Sequence, residues 1–156
     1  MDKPRADTPV AVRLAAMNLL SRREHSTEEL RRKLLARRHP WPAVEEVLTG
    51  LQRDGLLSDL RFVKEYTRAR AERGYGPVRI HAELLHRGVE EEQIEACLAA
   101  HDAFWVASIA RVYRKQFGET VPSDFAERAR RARFLHMRGF TAGQIRTVLN
   151  GIDLDY

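Results

Sequence analysis

Apolar residues recur along the chain with the 3.6-residue period of an amphipathic helix. Sustained period-2 alternation, the mark of a half-buried strand, is absent. The clearest stripe is Val44, Val47, Leu48 and Leu51, at i, i+3, i+4 and i+7. It returns as Ile94, Cys97, Leu98 and His101, and again as Ile145, Val148, Leu149 and Ile152. The same offset carries Leu30, Leu34 and Leu35 onto Ile80, Leu84 and Leu85. The third copy keeps Leu135 there but places Arg131 and His136 at the other two positions. Further upstream, Val12 and Ala16 map onto Phe62 and Tyr66, then onto Tyr113 and Phe117. A spacing that holds over three separate helices is an internal repeat.

The residues between the stripes divide each copy into three helices. Ser26 with Glu29 has the spacing of a capping box, as does Thr141 with Gln144. Pro42 suits a first helical turn. Ser58 or Asp59, Gly76-Pro77, and Ser123 or Asp124 read as further starts, while Gly55, Gly74, Gly88, Gly118 and Gly139 stand where helices end. The fold predicted is all-α: an elongated tandem array of three three-helix, helix-turn-helix-like repeats spanning residues 10–57, 58–102 and 103–156. A disordered tail, residues 1–9, precedes it. One unit alone buries little, so stacking of neighbours must complete each core.

Charge adds a candidate surface. Lys plus Arg number 27 against 22 Asp plus Glu, a net charge of +5, which favours an anionic partner. Nearly all of it is arginine, since the lysines are only Lys3, Lys33, Lys64 and Lys115. Arginine suits bidentate recognition of phosphate, although a GC-rich genome produces the same bias. The segment from Ser26 carries Arg31, Arg32, Lys33, Arg37 and Arg38 against Glu28 and Glu29. The segment from Asp124 carries Arg128, Arg130, Arg131, Arg133 and Arg138 against Asp124 and Glu127. The segment of Glu90, Glu91, Glu92, Glu95 and Asp102 is acidic instead. Helix-dipole complementarity accounts for acids at helix starts and for Arg37 and Arg38 at a helix end. It leaves Arg128 and the density of Arg130, Arg131 and Arg133 open to a second reading, a basic stripe along one side.

Other chemistry finds little support. Gly74-Tyr75-Gly76-Pro77-Val78-Arg79 lacks the preceding strand and third glycine of a phosphate loop, and Pro77 removes an N–H, so it reads as a helix-to-helix turn. Cys97 and His101, with His81 and His86, could seed a zinc site, but Cys97 lies on the apolar stripe and reads as a small hydrophobe. Trp41, between two prolines, reads as a packed corner. No catalytic set stands out along the sequence, although such sets are assembled in space, and no cofactor or metal is expected. The single cysteine, the lack of a membrane-length apolar run and an N-terminus without a signal-peptide core place the protein in the cytoplasm.

The segment from Leu56 to Val89 carries Asp59, Arg61-Phe62, Tyr66, Arg70, Gly74, Gly76-Pro77, Arg79-Ile80, Glu83-Leu84 and Arg87-Gly88-Val89. In these residues it resembles the central part of the RecX family, regulators of the RecA recombinase. HSTEELRRKL before it and FLHMRGFTAGQIRTVL after it are similar to the same family in order and spacing, so the resemblance spans about residues 10 to 152. Two departures stand out. Val63 occupies a position where alanine is expected, and HPWP replaces a glycine-bearing turn after Arg38. The resemblance implies a non-enzymatic protein, expected as a monomer, that binds the RecA filament on single-stranded DNA and opposes its growth, ATPase, strand exchange and coprotease activity. It implies no catalytic residues. Asp59, Phe62, Tyr66, Gly76, Ile80, Leu84, Gly88 and Ile94 are expected to be mostly structural. Candidate contacts for the filament or DNA, chosen on charge alone, are the arginine-rich segments above together with Arg68, Arg70, Arg79 and Arg87. A direct DNA-binding role through the basic helices is the competing expectation.

Overall fold

Helix starts and stops in the structure, a computed structural model describing residues 8–99 and 102–153, follow the local chemistry of the chain. Among the described residues there are nine helices and no strand: α1 Pro9–Leu20, α2 Thr27–Ala36, α3 Trp41–Arg53, α4 Asp59–Glu72, α5 Pro77–His86, α6 Glu91–Ala99, α7 Asp102–Phe117, α8 Phe125–Met137 and α9 Ala142–Asp153. The expected tail falls almost wholly outside the described residues. So do His101 and the side chain of Ile152.

Several starts have a visible cause. Ser26 and Glu29 form the reciprocal capping box of α2. Thr141 and Gln144 exchange the same pair of bonds ahead of α9, at 2.9 and 3.1 Å. Ser58 Oγ accepts from Arg61 N at 3.2 Å, and Asp124 caps α8 by accepting from Glu127 N at 2.8 Å. The ends are equally local, with Gly55, Gly74, Gly88, Gly118 and Gly139 all at positive φ. After α2 the chain has no glycine to use, and Arg38 takes the left-handed conformation itself, at φ 66°. This is the repeat-equivalent of Gly88 and Gly139, and the HPWP turn therefore keeps the backbone of its counterparts with a strained residue in place.

Contacts divide the chain into two compact units. The first holds residues 1–65 and 84–93. In it α1, α2 and α3 pack mutually around Val12, Ala16, Leu19, Leu30, Leu34, Val44, Val47, Leu48, Leu51 and Leu57, all buried. The second holds residues 66–83 and 94–156, where α9 packs on α7 and α8. Here Trp105, Ile109, Tyr113, Leu135, Phe140, Ile145 and Leu149 are buried. The repeat-equivalent positions Val12, Phe62 and Tyr113 are all buried, as are Leu34, Leu84 and Leu135, so the sequence offset reports a shared core register. Each fully buried aliphatic side chain contributes roughly 1.5–3 kcal/mol. The second repeat supplies segments to both units.

The same junction is built twice. In the first unit Ser26 Oγ donates to Arg87 O at 2.6 Å, and an Arg32 guanidinium N–H donates to His86 O at 2.9 Å. In the second, Gly76 N donates to Arg138 O and Val78 N to Gly139 O, both at 2.8 Å. Ser26 and Gly76 are repeat-equivalent, as are Arg87-Gly88 and Arg138-Gly139. Each time, the turn between the second and third helices of a repeat docks on the start of the preceding repeat's second helix. The second junction is closer, because a Cβ on Gly76 would lie 2.5 Å from the carbonyl carbon and oxygen of Gly139.

Candidate functional site

Burial separates the candidate cations into those that hold the fold and those that face solvent. Arg131 is the clearest of the first kind. It occupies the core position of Leu30 and Ile80 and is 7% exposed. Its guanidinium donates to Tyr113 Oη and Thr120 O, each at 2.6 Å, to Thr120 Oγ1 at 3.2 Å and to Glu127 at 3.0 Å. It also lies 4.9 Å from the Phe117 ring centre. Selected on charge, Arg131 is thereby corrected to an interior group.

Several others are tied to carboxylates. Arg70 grips Glu83 with two bonds of 2.9 and 2.7 Å, while Tyr66 Oη and Arg79 reach the same carboxylate at 2.7 and 3.2 Å. Burial by itself pushes the Glu83 carboxyl up, but these three donors outweigh it and hold it below the usual carboxylate value. Arg70, Arg79 and Arg138 also gather on the Tyr75 ring, at 4.0, 4.2 and 5.2 Å from its centre. Arg87 donates to buried Glu29 at 3.0 Å, and Arg23 pairs with the same carboxylate. Arg31 joins Glu45 at 2.6 Å and pairs with Glu28, and Lys33 Nζ donates to His25 Nε2 at 2.8 Å. On more exposed surface, Arg32 lies 3.4 Å from Glu28, Arg68 meets Glu72 at 2.9 Å, Arg130 pairs with Glu127, and Arg128 donates to Asn150 at 2.7 Å. Arg37, Arg38 and Arg133 are exposed and have no side-chain partner among the described residues.

The residues of the sequence motif serve the packing. Asp59 Oδ1 accepts from Thr27 N at 2.7 Å and from Thr27 Oγ1 at 3.0 Å, covering the first turn of α2. Phe62, Ile80, Leu84 and Ile94 are buried. Gly88 leaves no room for a side chain, because a Cβ there would overlap Glu28. Charge counting along the chain passed over Arg73, Arg111 and Lys115, which border a cleft in the second unit together with Arg138. The spacing of Arg111 and Lys115, one helical turn apart, was the available signal.

Three tandem three-helix domains, joined by hydrogen bonds between the turn of one repeat and the helix start of the repeat before it, define an α-helical repeat protein. Models of the first, second and third three-helix domains of RecX match residues 13–51, 58–98 and 106–149. The chain belongs to the RecX family of regulatory proteins. It is 43% identical over 148 residues to regulatory protein RecX of Pseudomonas entomophila, covering 95% of this chain and 96% of that one. To regulatory protein RecX of Halorhodospira halophila it is 45% identical over 145 residues, covering 93% and 90%. The crystal structure of RecX from Lactobacillus salivarius superposes with a TM-score of 0.80 at 21% identity, over 94% of this chain and 97% of that one, and so shares the fold. Among the described residues no helix is long and apolar enough to cross a membrane.

Proposed function

We propose that this protein is a negative regulator of the RecA recombinase. In this reading it binds the RecA filament on single-stranded DNA as a cytoplasmic monomer, by groove binding or capping, and restrains ATPase, strand exchange and coprotease activity in DNA repair and the SOS response. The observation that carries the reading is membership of the RecX family along nearly the whole chain. Two features support it. Tandem domains offer recurring surfaces, which suit a partner that is itself a repeating filament. The net charge of +5 suits a nucleoprotein that carries phosphate charge. The role is regulatory rather than catalytic.

The test is the ATPase rate of RecA on single-stranded DNA with this protein added well below the RecA concentration. Inhibition at that ratio is expected and favours capping or groove binding over titration of free monomers. No effect at any ratio, with RecA from the same organism, overturns the reading and leaves direct DNA binding as the alternative. The basic cleft of the second unit is the observation in favour of that alternative.

A further inference from the structure

The second unit contains a cleft of about 300 Å³ with a cationic rim, between the end of α4 and the facing sides of α7 and α8. Arg73, Arg111, Lys115 and Arg138 form the rim, and Val112 and Phe134 form an apolar floor. The one carboxylate at its border, Glu72, is paired with Arg68 at 2.9 Å. Two of the guanidiniums are fixed in place by main-chain oxygens at the end of α4. Arg111 donates to Ala71 O at 3.4 Å and Arg138 to Arg73 O at 3.3 Å. Guanidinium has five N–H donors, so each retains several for a ligand. These anchors also neutralise the negative end of α4. Arg73, one residue past α4, and Lys115, in the last turn of α7, stand at helix ends too, but their exposed side chains have no hydrogen-bond or ion-pair partner among the described residues and add their charge to the same cleft. Gly74, at φ 88°, completes the cleft, since a Cβ there would come within 3.5 Å of the Arg138 guanidinium and 3.3 Å of Val112.

We infer that this cleft is a phosphate site for a single-stranded nucleic acid, with the rim cations on the phosphodiester oxygens and the Val112–Phe134 floor under the sugar or base. Several convergent cations with a single acid, itself already paired, match a phosphate rather than a carboxylate-bearing helix or an apolar peptide. The volume admits about one nucleotide, and an apolar floor beside cations is the combination that holds single strands without reading sequence. The site concerns the strand alone and is tested without RecA, so its failure leaves the filament reading untouched.

The experiment measures fluorescence anisotropy of a labelled thymidine oligonucleotide of about 16 nucleotides, titrated with the full chain across a series of salt concentrations. Each phosphate held contributes about 0.7 to the slope of log K against log salt. Arg111→Gln combined with Lys115→Gln is expected to weaken binding at least tenfold at low salt and to reduce the slope by about 1.4, with a melting temperature lowered by no more than a few degrees. If the double variant does not fold, Lys115→Gln alone, on an exposed side chain, is expected to reduce the slope by about 0.7. An unchanged affinity and slope in a folded variant, or no binding of the wild type at low salt, overturns the proposal. Competition separates the sources of phosphate. Thymidine monophosphate and inorganic phosphate, at the same total phosphate as the oligonucleotide, are expected to leave the complex intact. Equal displacement by either assigns the cleft to small phosphates and overturns the strand site.

Discussion

Two arginines with the same formal charge do opposite things in this chain. Arg131 is buried in a full set of acceptors, whereas Arg38 is exposed and held at φ 66°. Replacing every member of a buried polar network with apolar groups is often neutral, whereas removing one member orphans the others, and truncating it leaves a hole as well. Arg131→Leu, which restores an apolar residue as in the first two repeats, fills the volume but strands Tyr113 Oη, Thr120 O and Glu127, and is expected to lose about 1–3 kcal/mol in urea unfolding. Arg131→Ala is expected to lose about 2–4 kcal/mol. Equal losses for both would show that the hydrogen bonds to Tyr113 and Thr120, rather than the filled volume, carry the stability. At Arg38 the left-handed backbone is costly for any residue with a Cβ. Arg38→Gly is expected to raise stability by about 0.5–1 kcal/mol, read from the same melts, and a loss would mean that the side chain has a compensating contact. Both positions could be read from the repeat offset, which aligns Arg131 with Leu30 and Ile80 and Arg38 with Gly88 and Gly139. Residue type alone pointed the other way for Arg131, because a charged side chain is assigned to the surface unless the partners that bury it are known.

At the scale of the element, the start of α2 concentrates the titratable chemistry of the first unit. His25 is 1% exposed. With Nδ1 3.1 Å from Arg23 O and Nε2 accepting from Lys33, the ring is neutral, with its proton on Nδ1. Burial, aided by the nearby Arg23 and Lys33 charges, pushes its pKa below the ordinary 6.5. Above pH 6.5 the ring is neutral in both the folded and unfolded states, and its contribution is fully present. Below that, the unfolded chain takes up a proton that the folded chain resists, so stability falls until the folded pKa is passed. Melting temperature is expected to decline as pH drops below 6.5, and His25→Gln, which keeps a donor and an acceptor without titrating, is expected to flatten that limb. Parallel decline in both proteins would remove His25 as the cause. Burial alone would raise the Glu29 carboxyl, but Arg23, which bonds to it, and the Arg87 charge overcome it and hold it below its ordinary 4.5. Glu83 is depressed in the same direction. Their contributions are present above pH 4.5 and lost only as pH falls further, so the two windows are distinct. Helix limits and caps were legible because they depend on residues three or four apart. The pairing of His25 with Lys33 across a turn and a helix was not, because sequence spacing does not say which buried groups meet.

For the whole molecule, the division of labour among cations decides which variants report on function. Arg70, Arg87 and Arg131 hold their units together, and reversing them confuses folding with binding. Arg37 and Arg38 have no such duty among the described residues. Arg37→Glu with Arg38→Glu is expected to raise the concentration needed for half-inhibition of the RecA ATPase about tenfold or more, while leaving the melting temperature within a few degrees. Unchanged inhibition would place the contact elsewhere. The sequence by itself determined the all-helical class, the threefold repeat, the helix limits and the core register, because periodicity, caps and left-handed turns are properties of neighbouring residues. Only the tertiary structure decided that Arg131 points inward, that the Arg87-Gly88 and Arg138-Gly139 turns each dock on the start of an earlier helix, and that Arg73, Arg111, Lys115 and Arg138 share one cleft. The reason is physical: burial and electrostatic pairing depend on distances between segments tens of residues apart, and those distances are set only when the helices pack.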